Sequence, residues 1–122
     1  MSNFIRPLGI AAIVALGLTG QAFAHAHLKT ATPAAGSIVT AAPTELDLTF
    51  TEDVNLKFTG VKITGPDKTV VPTGDAMLTD KDTTLMVPIS GTLGSGVYAV
   101  AWHALSTDGH KTDGNYTFTV KP

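Results

Sequence analysis

From residue 44 onward, apolar and polar positions alternate with a period of two, the signature of strands that bury one face. In residues 44–51 (TELDLTFT), Leu46, Leu48 and Phe50 share one face, and Glu45, Asp47 and Thr49 share the other. Residues 58–64 carry a β-branched run with Val61 and Ile63, while 69–71 and 83–87 are two shorter candidates. Residues 96–105 (GVYAVAWHAL) put Tyr98, Val100 and Trp102 on one side, and residues 115–120 (NYTFTV) do the same with Tyr116, Phe118 and Val120. Residues 25–30 can form a further strand. Turn signals separate the runs: residues 33–37, Gly65-Pro66-Asp67, Gly74-Asp75, residues 91–96 and Asp113-Gly114. No helical period of useful length occurs. Many short strands with thin connections predict an all-β antiparallel sandwich, with Trp102 packed between its sheets.

The first 24 residues do not follow this pattern. Arg6 precedes an apolar stretch over residues 9–18, and Ala22-Phe23-Ala24 is a small-x-small cleavage site. This is the form of a secretory signal peptide, since a membrane span needs about 20 apolar residues. Residues 1–24 are therefore expected to be a removed leader, and residues 25–122 a single mature domain that inserts in no membrane.

Composition narrows the chemistry. The chain has no cysteine, which excludes a disulfide framework and every thiolate-based zinc, iron–sulfur or blue-copper site. Its formal charge is −2, and no basic cluster appears along the chain, which argues against nucleic-acid binding. Met77 and Met86 are too few and too scattered in sequence to predict a thioether cluster for Cu(I).

The chain contains four histidines. Cleavage after Ala24 would make His25 the first residue, with His27 two positions on. A free α-amine has a pKa near ~8, so a metal can displace its proton at neutral pH. Amine and imidazole of one N-terminal histidine can then chelate a single ion. Asp108 and His110 flank Gly109, and residues at i and i+2 of an extended segment point to the same side. Together these groups offer a nitrogen-rich set with one carboxylate, a set that suits Cu(II). Asp-Gly is equally an ordinary turn dipeptide. A second copper geometry is open: His25-Ala26-His27 fits the X-X-His peptide mode, with His27 as ligand and two deprotonated amides. That mode needs a flexible terminus, whereas a strand beginning at His27 would commit its amide to the sheet. Glu52, just past an alternating strand, could accept a hydrogen bond from the terminal amine, or be a solvated strand-end acid. His103 reads as an exposed strand residue beside Trp102.

Several motifs, in this order, resemble the CopC family of periplasmic copper-binding proteins (PcoC- and YobA-like). His25-Ala26-His27-Leu28 followed by Thr32-Pro33-Ala34-Ala35-Gly36-Ser37 is similar to its opening. Leu48-Thr49-Phe50-Thr51-Glu52 resembles an L-x-F-S-E strand. Gly96 through Trp102, then Ser106-Thr107-Asp108-Gly109-His110, resembles G-x-Y-x-V-x-W…S-x-D-G-H, and residues 114–120 resemble the closing G-x-x-x-F-x-V. The resemblance implies a seven-stranded Greek-key sandwich or barrel of immunoglobulin or cupredoxin type. It implies Cu(II) held by His25, Asp108 and His110, with Glu52 near the amine. It also implies a role in copper resistance or uptake beside a CopD-type inner-membrane protein. Two positions depart from the family pattern. Its Met-rich Cu(I) loop is reduced here, over residues 65–77, to Met77 alone, and His103 follows Trp102 where arginine is common.

The expected function is non-catalytic: a monomeric Cu(II)-binding protein of the periplasm that sequesters or delivers the ion. Two rivals are a copper histidine-brace oxidative enzyme and a metal-free envelope interaction module. A copper titration separates the second, and copper-dependent peroxide turnover would favour the first.

Overall fold

The computed structural model describes residues 26–122. The leader segment and His25 lie outside the described residues. Eight strands follow one another: β1 (Leu28–Thr32), β2 (Ile38–Val39), β3 (Glu45–Phe50), β4 (Gly60–Thr64), β5 (Met77–Thr79), β6 (Thr84–Pro88), β7 (Gly96–Leu105) and β8 (Lys111–Val120). They form two four-stranded sheets, in the orders β1-β3-β6-β5 and β2-β8-β7-β4. This is the all-β sandwich that the alternation predicts and the Greek key that the resemblance implies, with eight strands among the described residues in place of the seven expected. The eight strands include a two-residue β2, which pairs parallel to β8. Among the described residues no helix is long and apolar enough to cross a membrane.

Each long strand buries the face its pattern assigns. Leu46, Leu48 and Phe50 of β3 are buried, as are Tyr98, Val100 and Trp102 of β7 and Tyr116, Phe118 and Val120 of β8. The sheets meet through aromatic contacts. Phe50 packs edge-on against Trp102 at 5.5 Å between ring centroids, and Tyr98 stacks on Phe118 within its own sheet at 5.5 Å. Both separations fall in the range favoured by aromatic quadrupoles. Trp102 is thus the inter-sheet anchor expected of it.

Three local expectations need correction. Asp113-Gly114 is not a turn: β7 and β8 pair without interruption from Gly96↔Val120 to Leu105↔Lys111, and Gly114 sits opposite Trp102. A Cβ on Gly114 would lie 2.7 Å from Trp102 Cζ2, so this glycine makes room for the indole rather than for a bend. Residues 69–71 do not form a strand. They fold back on β4 through a single Thr64↔Val70 bridge, with Gly65 N–H donating to Thr69 O at 2.8 Å. Met77 and Met86 are not scattered in space, because they are cross-strand partners on β5 and β6.

Candidate metal centre

β7 and β8 are joined at one end of the sandwich by a tight turn over residues 106–110. Ser106 N–H donates to His110 O, and Gly109 N–H to Ser106 O, each at 2.9 Å. Gly109 has φ +95°, a conformation that L side chains rarely adopt, with open space around its missing Cβ. The turn therefore requires glycine for its backbone and not for packing.

This geometry brings Asp108 and His110 together. Asp108 Oδ1 and His110 Nδ1 are 3.0 Å apart, and each side chain is about half exposed, at 45% and 48%. Two cis donors, each roughly 2.0–2.1 Å from a first-row ion, are themselves about 3 Å apart. The contact thus has the dimensions of one edge of a tetragonal metal site. Ser106 fixes the pair from below. It is 1% exposed, its hydroxyl donates to Asp108 Oδ1 in a short hydrogen bond, and it accepts the His110 N–H at 3.2 Å. The hydroxyl first, and then His110, hold the Asp108 carboxyl below its ordinary value. Asp108 is therefore poised as the anion that a cation requires.

Two other segments converge on this turn. Thr107 N–H donates to Asp53 O at 3.2 Å, and its hydroxyl to Asp53 Oδ2 at 2.9 Å. Val54 forms a bridge with Ser106. On the same stretch, Thr51 exchanges hydrogen bonds with His27: His27 N–H donates to Thr51 Oγ1 at 2.9 Å, and Thr51 N–H to His27 O at 2.8 Å. Glu52 thus lies between Thr51, tied to His27, and Asp53, tied to the Asp108–His110 turn. A final contact joins the segment ahead of β1 to β8 directly. Thr112 Oγ1 donates to Ala26 O at 2.6 Å, and Ala26 is fully buried.

Asp108 and His110 therefore meet, Glu52 sits on the segment that links the turn to His27, and His27 is exposed with its amide engaged. His25, the residue on which the chelate depends, is outside the described residues. Among those described, no three of His, Cys, Asp and Glu gather closely enough to hold an ion. His103 is exposed on the outer face of β7, opposite Asp113. Sequence reasoning missed Ser106, Thr51 and Thr112. Ser106 and Thr112 could have been suspected from their positions, four before and two after His110, but nothing local marks Thr51.

Comparison with known proteins gives a consistent picture. The CopC domain matches residues 28–121. Protein YobA of Escherichia coli (strain K12) is 47% identical over 105 residues, 85% of this chain and 85% of that protein. Copper resistance protein C of Escherichia coli is 38% identical over 113 residues, covering 87% and 89% of the two chains. Among solved structures, PcoC, a methionine-rich copper resistance protein from Escherichia coli, superposes with TM-score 0.71 at 36% identity, covering 80% of this chain and all of that one (100%). CopC from Methylosinus trichosporium OB3b gives 0.72 at 31% identity, covering 80% and 95%. By the extent of the domain match and the identity to these relatives, the chain belongs to the CopC domain family.

Proposed function

We propose that this protein binds Cu(II) in the periplasm, as a non-catalytic carrier or store in copper resistance. In this reading the ion is held by the amine and imidazole of His25, once the leader is removed, together with Asp108 and His110. The relatives named for copper resistance and the CopC domain support the copper assignment at the level of the family. The donor chemistry supports the oxidation state: imidazole, amine and carboxylate suit Cu(II), and no thiolate is available in the chain.

One contact carries the site. Thr112, two residues beyond His110, holds the carbonyl of Ala26, one residue beyond His25. This ties Ala26, the neighbour of His25, to the strand that leaves the Asp108–His110 turn, and it is the observation that supports a shared site. The X-X-His mode is disfavoured by the same region, because the His27 amide it would need to deprotonate already donates to Thr51.

The residues have separable tasks. Asp108, kept anionic by Ser106, supplies charge. In this reading His110 exchanges its contact with Asp108 for the ion, and Glu52 would accept a hydrogen bond from the freed amine. Protons compete with the ion at the amine and the imidazoles, so affinity falls as pH is lowered. The test is a Cu(II) titration of mature protein beginning at His25 against the same protein with one added residue ahead of it. The extended protein should bind orders of magnitude more weakly with an unchanged fold, and His110→Ala should do likewise. Equal affinity in both would remove the amine from the site, and a severe loss with His27→Ala alone would assign the X-X-His mode instead.

A further inference from the structure

Lys57, Lys62 and Lys68, with Lys111 remote from them in sequence, lie on or beside the outer face of the β2-β8-β7-β4 sheet. Alternation turns Ala99, Ala101 and His103 of β7 away from the core, with Lys111, Asn115 and Thr117 of β8 beside them. Lys62 of β4 is exposed next to Ala101. Lys57 shares a cleft with His103 and Lys111, and Lys68 shares a shallow depression with Val97 and Ala99. The centre of the face is therefore flat and made of small side chains, and the cations stand around it. Exposed Val97 and Phe58 add apolar contact at its margin. Asp113 faces outward here as well, opposite His103. Asp67 lies near Lys68, but its carboxylate is turned onto the amide and hydroxyl of Thr69.

The opposite sheet has the opposite character. Glu45 and Asp47 of β3 share a groove with Asp80, and no lysine lines it. Lys29 of β1 and Lys81 after β5 belong to this side, yet four of the seven lysines among the described residues gather on the other, so a chain of net charge −2 distributes its charges unequally between its two broad faces. Asymmetry of this kind orients a protein in a field even when its net charge is repelled.

We propose that the lysine-bearing face docks on the surface of an anionic phospholipid bilayer. The charges would also suit an acidic protein surface, but protein interfaces depend on large anchors seated in pockets. Here the cleft and the exposed Phe58 lie at the margin, while Ala99, Ala101, Asn115 and Thr117 between the lysines are small, a surface that complements a layer of phosphates. Docking in this way would hold the Asp108–His110 turn, which runs directly into Lys111, at the edge of the contact and close to the bilayer.

Vesicle sedimentation tests this with purified protein and two lipid compositions, phosphatidylcholine alone and phosphatidylglycerol mixed with phosphatidylcholine at about one to three. Each lysine near an anionic surface is worth about fivefold in partitioning. The protein should bind only the phosphatidylglycerol vesicles, and raising salt to about 0.3 M should abolish binding. Lys62→Gln with Lys68→Gln should weaken partitioning roughly 25-fold, since the two lysines multiply. Lys29→Gln with Lys81→Gln makes the same change in net charge away from this face and should leave partitioning within about twofold. Equal losses from the two pairs would overturn the proposal, as would binding indifferent to phosphatidylglycerol. Salt-sensitive binding to polyglutamate without vesicle binding would reassign the face to an acidic protein.

Discussion

Thr112→Val tests the tie between Ala26 and the strand that leaves the Asp108–His110 turn. Valine keeps the shape and strand preference of threonine and removes one donor. That donor holds Ala26 O at 2.6 Å, on a residue with no exposed surface. If the segment stays docked, a buried carbonyl loses its partner, at a cost of about 1–2 kcal/mol in stability. If the segment instead releases, the cost is paid in binding. Apparent affinity falls by the fraction of molecules that remain competent. A docked population reduced to about one tenth weakens Cu(II) roughly tenfold, equivalent to about 1.4 kcal/mol. Urea denaturation without metal and competition against a Cu(II) chelator measure the two quantities. Because Thr112 is close to His110, the mechanism needs a second comparison. In protein extended by one residue before His25, the amine is already lost, so Thr112→Val should cost no further affinity. An unchanged affinity in the single variant, or an undiminished loss in the extended one, would refute the role of this tie.

Three further outcomes follow from the packing and the hydrogen bonds. Gly114→Ala drives a methyl to 2.7 Å from Trp102 Cζ2 and should lower stability by roughly 2–3 kcal/mol with a change in tryptophan fluorescence, as urea titration would register. Tyr116→Phe should leave stability unchanged or raise it by about 1 kcal/mol. Burial pushes the Tyr116 phenol up to about 12, and its hydroxyl has no hydrogen-bond partner among the described residues. Ser106→Ala should return the Asp108 carboxyl toward its usual 3.8, as followed by NMR titration. The sign for stability is set by the depressed value in the fold. The contribution of Asp108 is present above the unfolded value and is lost as pH falls through the folded one, and the variant moves that loss to higher pH.

The parts of the fold that were legible are those with one wet and one dry face. β3, β7 and β8 show their burial directly in alternation, because a strand in a two-layer sandwich must send every second side chain to the core. β2 and β5 lie at sheet edges and are two and three residues long, too short for any period to register. Asp113-Gly114 misled for a different reason. A glycine that admits an indole ring and a glycine that permits a turn are identical in sequence, and only the partner across the ladder distinguishes them.

The candidate site divides in the same way. Asp108 and His110 were legible because their spacing is local and the turn that joins them needs nothing beyond Gly109. The ties that bring the chain start and Glu52 to them were not, because each is a hydroxyl or backbone contact across 24, 54 or 86 residues of sequence. Thr51, Thr107 and Thr112 look like any other threonine in a β-rich chain, and their task exists only once β1 has paired with β3 and the end of β3 has met the β7–β8 turn. The architecture around the donors is therefore built without the donors: none of these contacts uses the Asp108 carboxylate or the His110 imidazole. The half-exposed side chains at positions 108 and 110 can consequently change while the sandwich persists. Loss of copper binding on their substitution, in protein that keeps its fold and still unfolds cooperatively in urea, would follow from this division between the fold and its metal donors.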